Sequence, residues 1–229
     1  MISHSMVRSA GRLVGVVADR AALQKATRLR RPPDFFELRL DALRDCLEEI
    51  ESALPKLRAP LILTARHPAE GGRHALSASA RRALLRRFLD HAAFIDIELC
   101  SAREMRSLIT EARHCKIGLI ISSHDLRDTP PPAVLRDQLK AAIGCGADIF
   151  KIATRTDSAA QLARLLSFFQ ENSGPFPVAA MGMGKLGGES RRRLLRLGPA
   201  LHYAAVGEAN APGQPTLRQL RRDRAAYII

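Results

Sequence analysis

Lys151 is the residue that most demands a chemical explanation. It stands in the apolar run Ile149-Phe150-Lys151-Ile152-Ala153, where an ammonium is costly unless it is paired or gives up its proton. A neutral amine in a water-poor pocket is a nucleophile toward a carbonyl, and the imine it forms is an electron sink. His124 closes a second apolar run, Ile120-Ile121-Ser122-Ser123-His124, and imidazole gives and takes protons near neutral pH. Three more runs mix charge with apolar residues. Glu37, Arg39 and Asp41 alternate with Phe36, Leu38 and Leu40; Asp96 and Glu98 alternate with Ile95, Ile97 and Leu99; Thr64 and Arg66 share a face with Ile62. One polar face of this kind could be a lone ion pair. Five together imply a shared polar interior, with Glu37, Arg39, Arg66, Glu98, His124 and Lys151 as its candidate members. Structural readings stand beside the chemical one: Glu37 with Arg39 as a plain ion pair, Asp96 as a supporting carboxylate, His124 as a strand-end histidine satisfied by backbone. For Lys151 the structural reading is weakest, because nothing in its own strand can pair with it.

The elements that must position these residues follow from periodicity. Short apolar runs at 13–18, 35–40, 61–65, 94–99, 117–122, 149–153, 177–181 and 203–206 alternate with amphipathic helical patterns at 21–30, 43–54, 78–92, 102–114, 133–144, 158–171, 190–197 and 216–226. Strand followed by helix, repeated through the chain, predicts a parallel sheet. The repeat number and chain length fit a single-domain (β/α)8 barrel over 12–229, preceded by a short arm at 1–11. An open doubly wound sheet is the other arrangement these elements allow, but no G-x-G-x-x-G fingerprint or P-loop accompanies it. In a barrel of this type catalytic groups gather at the C-terminal ends of the strands, where the polar residues of the five runs lie. Pro130-Pro131-Pro132 falls between a strand and a helix and suits a helix start.

Composition excludes several function classes. The 229 residues carry a net charge of +13, but the arginines are scattered through helical segments as Arg81-Arg82, Arg86-Arg87, 191–193 and Arg221-Arg222. That pattern reads as solvated helix faces, without the clustering of a nucleic-acid footprint. The cysteines, 46, 100, 115 and 145, form no C-x-x-C pair, and neither they nor His67, His74 and His91 have metal-ligand spacing. No run approaches the length of a membrane span, and the start has no apolar signal region. The expectation is a cytoplasmic protein without metal, cofactor, membrane or nucleic acid.

Seven short motifs, in order along nearly the whole chain, resemble those of the type I 3-dehydroquinate dehydratases. They are Glu37-Leu38-Arg39-Leu40-Asp41; Thr64-Ala65-Arg66 with Glu70-Gly71-Gly72; Asp96-Ile97-Glu98-Leu99; Ser123-His124-Asp125; Phe150-Lys151-Ile152-Ala153; 183–188 with Ser190-Arg191; and Ala211-Pro212-Gly213-Gln214. The resemblance implies a TIM-barrel lyase that removes water from 3-dehydroquinate to give 3-dehydroshikimate in aromatic amino-acid biosynthesis, as a homodimer. It assigns Lys151 as the Schiff-base nucleophile, His124 as general base and acid, and Glu70 as the carboxylate orienting that histidine. It further implies that Arg191 clamps the substrate carboxylate and that Glu37, Arg39, Arg66, Asn210 and Gln214 hold the ring, with Asp96, Glu98, Met181 and Met183 in support. Asn210 stands where the family often has serine; its amide offers donors and an acceptor. The glycine-rich 182–188 stretch is expected to act as a lid. To serve as a nucleophile, Lys151 must lose a proton against a reference pKa of about 10.4; apolar neighbours and the cations Arg39, Arg66 and Arg191 are the expected means. Another Schiff-base barrel enzyme, such as a class I aldolase, and a basic binding protein on an inactive barrel are the rival readings.

Overall fold

A computed structural model describes residues 11–174, 176–209 and 211–226; apart from Gly11, the expected N-terminal arm lies outside them. Eight strands are present: β1 (Arg12–Val17), β2 (Phe35–Arg39), β3 (Leu61–Thr64), β4 (Ala92–Glu98), β5 (Gly118–Asp125), β6 (Ile149–Arg155), β7 (Val178–Met183) and β8 (Leu201–Ala205). The helices between and after them are α1 (Arg20–Thr27), α2 (Leu47–Ala53), α3 (Ala78–Arg87), α4 (Arg106–His114), α5 (Pro132–Gly144), α6 (Ala159–Asn172), α7 (Gly187–Leu197) and α8 (Leu217–Ala225). All strand pairings are parallel, in the order β7-β6-β5-β4-β3-β2-β1-β8. The sheet is a nearly closed barrel, not an open doubly wound one. At the seam between β7 and β8, Ala200 N donates to Val178 O at 2.9 Å.

The two faces of the strands separate as period-two alternation requires. Outward residues such as Phe36, Leu38, Leu63, Ile95, Ile97, Ile121, Phe150 and Ile152 form one large core with the helices. Inward residues at the N-terminal end of the strands, Val14, Phe35, Ile62, Phe94, Ile120 and Ile149, form a second, smaller core inside the barrel. It is tight: a Cβ on Gly118 would stand 2.3 Å from the Phe94 ring. This apolar plug is the floor on which the polar layer rests.

Several boundaries differ from the sequence reading. β5 runs on to Asp125 and β6 to Arg155, because strand pairing continues past the last apolar residue. α4 starts at Arg106 rather than at 102, since the chain after β4 first makes a 3-10 turn, Leu99–Ser101. α3 stops at Arg87, and α7 starts at Gly187 rather than at 190. Pro132 opens α5, where its missing N–H has no intrahelical partner to lose.

Candidate active site

One row of the parallel register, Glu98, Ser122, Lys151 and Ala179, crosses four neighbouring strands above the apolar plug. Lys151 is 4% exposed. Its Nζ donates to Glu37 Oε1 at 3.0 Å and to Asp96 Oδ2 at 2.8 Å, and the ring of Tyr203 lies beneath it, with the centroid 4.1 Å away. Thr64 Oγ1 also donates to Glu37 Oε1. Arg66, equally buried, bridges the carboxylates of β4: Nη1 and Nη2 reach both Asp96 oxygens, and Nη1 also reaches Glu98 Oε1 at 2.9 Å. Ser122 Oγ donates to Asp96 Oδ1 at 2.6 Å. Burial alone would raise the Asp96 carboxyl, but Arg66 and Lys151 outweigh it and hold it far below the usual carboxylate range. Likewise burial opposes the Arg66 charge, and Asp96 and Glu98 more than restore it.

His124 stands at the end of β5. Its backbone N–H donates to Glu70 Oε2 and its ring Nδ1 lies against the same oxygen, both at 2.9 Å. Burial, followed by the positive charges of Arg66 and Lys151, lowers the imidazole well below its ordinary pKa, so the ring is neutral. Glu70 is pushed up to about 7, chiefly by burial. It is delivered by a 3-10 turn, Pro68–Glu70, closed by Gly71 in the left-handed conformation at φ 86°. That conformation suits glycine, and it turns Gly71 O toward Arg39 Nη2.

Thus the structure brings Lys151, Glu37, Arg66, Asp96 and Glu98 into one network and sets the His124–Glu70 pair beside it. Arg39 is engaged with Asp41 through Nε and Nη2 at 2.9 and 2.8 Å. Asp41 in turn accepts the backbone N–H groups of Arg66 and Arg73 and so anchors the loop after β3. Burial would raise the Asp41 carboxyl; Arg39 and these amides hold it low instead. Arg191 is on α7, and its Nη1 donates to Tyr203 O at 3.3 Å. Its Nε is buried without a partner, and burial lowers the guanidinium to about 10. A cavity of about 300 Å³ opens beside it, walled in part by Arg192, Gly213 and Gln214 and not by Lys151 or His124. Met181 is buried on β7 and Met183 half-buried. Asn210 lies outside the described residues.

The expected surroundings of Lys151 need correction. Two carboxylates contact the amine, whereas Arg39 and Arg191 are engaged elsewhere. Arg81 was expected on a solvated helix face. It is 1% exposed and reaches in from α3 to Glu98 Oε2 at 2.8 Å and Ser101 Oγ at 3.0 Å. Its spacing from Leu85 and Phe88 puts it on the apolar stripe, a signal that sequence alone carries. Tyr203 also joins the site unannounced, on an inward position of a strand already expected, and Thr64, read only as sharing the polar face of Arg66, bonds Glu37. The glycine-rich stretch is tied down past its middle: Asp157 Oδ1 accepts Lys185 N, and Leu186 N donates to Thr156 O.

Comparison with known proteins points to the same family. The family model for type I 3-dehydroquinase matches residues 14–225. The chain belongs to the type I 3-dehydroquinase family. A 3-dehydroquinate dehydratase of Thermococcus onnurineus is 34% identical over 214 residues, spanning 92% of this chain and 95% of that one. The crystal structure of the 3-dehydroquinate dehydratase of Aquifex aeolicus VF5 superposes with a TM-score of 0.77 at 28% identity, over 94% of this chain and 98% of that one. The barrel of the Geobacillus kaustophilus HTA426 enzyme gives 0.85 at 24% identity, over 95% and 91%, which speaks to the fold. As a type I 3-dehydroquinase, the chain is a hydro-lyase of the shikimate pathway, and the aldolase and inactive-scaffold alternatives fall away. No described helix of this dehydroquinase is long and apolar enough to cross a membrane.

Proposed function

We propose that this dehydroquinase converts 3-dehydroquinate to 3-dehydroshikimate through an imine on Lys151, with His124 moving the protons. The observation that carries this reading is a buried lysine amine inside the barrel, within electrostatic reach of a neutral imidazole oriented by a carboxylate. Attack on the ketone needs the neutral amine, so any proton on Nζ must leave first. Neutral His124, two residues along β5 from Ser122, the register partner of Lys151, is the acceptor. The free amine adds to the substrate ketone, and His124 returns the proton to the carbinolamine hydroxyl, which leaves as water and gives a protonated imine and a neutral imidazole. His124 Nε2 then removes the proton from the carbon beside it, and the electron pair moves into the imine as an enamine. That pair returns to expel the hydroxyl one carbon further on, which departs as water with the proton from His124. Hydrolysis of the imine releases product and the amine.

Glu70 keeps the His124 proton on Nδ1, and Asp96 and Glu98 hold Arg66 rigid. Arg191 takes the substrate carboxylate: its guanidinium is desolvated with an orphaned Nε, and guanidinium matches a carboxylate fork. Glu37, Arg39, Arg66, Asn210 and Gln214 hold the ring oxygens, with Met181 and Met183 as apolar walls. The same reading includes a single barrel domain with a short N-terminal arm, acting as a cytoplasmic homodimer on the small molecule alone. The test is borohydride reduction during turnover. Wild-type protein should gain the mass of reduced, bound ligand at Lys151, and Lys151→Ala should show neither the adduct nor enone absorbance. Unmodified Lys151 in a turning-over sample would remove the imine from the mechanism.

A further inference from the structure

The thiol of Cys100 has no place in the roles above, yet it touches them. Cys100 is the exposed residue of the 3-10 turn Leu99–Ser101 after β4, and its Sγ donates to Glu70 Oε1 at 3.2 Å. The other oxygen of that carboxylate accepts the His124 N–H and faces the His124 ring. Three successive strand ends therefore meet at one carboxylate: Glu70 from beyond β3, Cys100 from beyond β4 and His124 from β5. The charged and titratable groups acting on Glu70 are Cys100, His124, Arg66 and Glu98, of which Arg66 favours the carboxylate and Glu98 opposes it.

We propose that Cys100 is a positioning residue of the proton-transfer pair, its S–H holding Glu70 as an oriented carboxylate so that His124 keeps its proton on Nδ1 and presents a free Nε2. This rests on the assignment of His124 as the base. The thiol suits the task, because burial and then the Glu70 contact push it up to about 11 and keep it a donor at neutral pH. Glu70 needs such a donor, since its carboxyl has been pushed up to about 7. The carboxylate is the form present above that value and lost as pH falls through it. A protonated Glu70 would instead donate to Nδ1 and drive the ring proton to Nε2, where the base must be free.

The experiment is the pH profile of kcat/KM on the full chain, read by enone absorbance with 3-dehydroquinate, for wild type, Cys100→Ala, Cys100→Ser and His124→Ala. Losing one hydrogen bond to a charged group should move the acid limb of Cys100→Ala up by about one pH unit. Activity should fall about tenfold on that limb, with the loss shrinking toward alkaline pH. Cys100→Ser, which restores an O–H donor, should return the limb toward wild type. An unmoved acid limb in Cys100→Ala, or a loss uniform across pH, overturns the proposal. So does a serine variant no better than alanine while both melt like wild type. If His124→Ala turns over like wild type, the base assignment itself has failed; if it is inactive while Cys100→Ala keeps the wild-type limb, only the role of Cys100 has.

Discussion

Lys151 and His124 stand two residues apart in register on neighbouring strands, in different surroundings. The lysine amine contacts two carboxylates at 3.0 and 2.8 Å, while burial and neighbouring cations keep the imidazole uncharged. The neutral imidazole is ready to accept at pH 7, and protonation is opposed until the pH falls well below the ordinary histidine value. General acid–base groups contribute about 10²–10⁴-fold. His124→Ala should therefore lose roughly 10³-fold in kcat, while borohydride still traps ligand on Lys151 under long incubation. Wild-type turnover in that variant would take His124 out of the proton path.

At the scale of elements, the site depends on a helix that never touches substrate in the proposed mechanism. α3 sends Arg81 into the barrel end, where it holds Glu98, which holds Arg66, which holds Asp96. Removing one partner of a buried ion pair typically costs about 3–5 kcal/mol. Glu98 would keep Arg66, so the low end applies. Arg81→Leu should destabilise the protein by roughly 3 kcal/mol, or about 10 °C in Tm. Denaturant midpoints check it; an unchanged midpoint would mean Arg81 is a passive occupant of the apolar stripe.

The whole molecule adds a long-range field. With a net charge of +13 and exposed Arg192 and Arg193 on α7, which also carries Arg191, the surface should draw in an anionic substrate. Raising ionic strength from about 0.02 to 0.5 M shortens the screening length to a few ångströms. It should lower kcat/KM several-fold and leave kcat nearly unchanged. A flat kcat/KM would assign the excess arginines to no part in substrate capture. The barrel that carries this field is closed everywhere except at the β7–β8 seam, where Arg191 donates to the Tyr203 carbonyl.

The sequence by itself pointed to the barrel, the five polar strand faces and the candidates Glu37, Arg39, Arg66, Glu98, His124 and Lys151, with Asp96 as a supporting carboxylate. Each of these follows from period-two or helical alternation, which depends on nearest neighbours in the chain. The Glu70 role came only through family resemblance, because Glu70 sits in a turn with no periodicity to read. Tertiary structure alone decided who pairs with whom. Glu37 and Lys151 are 114 residues apart in the chain, and Tyr203 meets the amine across the closed barrel. Pattern shows which side of a strand is polar, but a charge state depends on the distances at which separate strands meet. For that reason the carboxylates around Lys151, the partners of Arg81 and the thiol on Glu70 became visible only in the folded barrel.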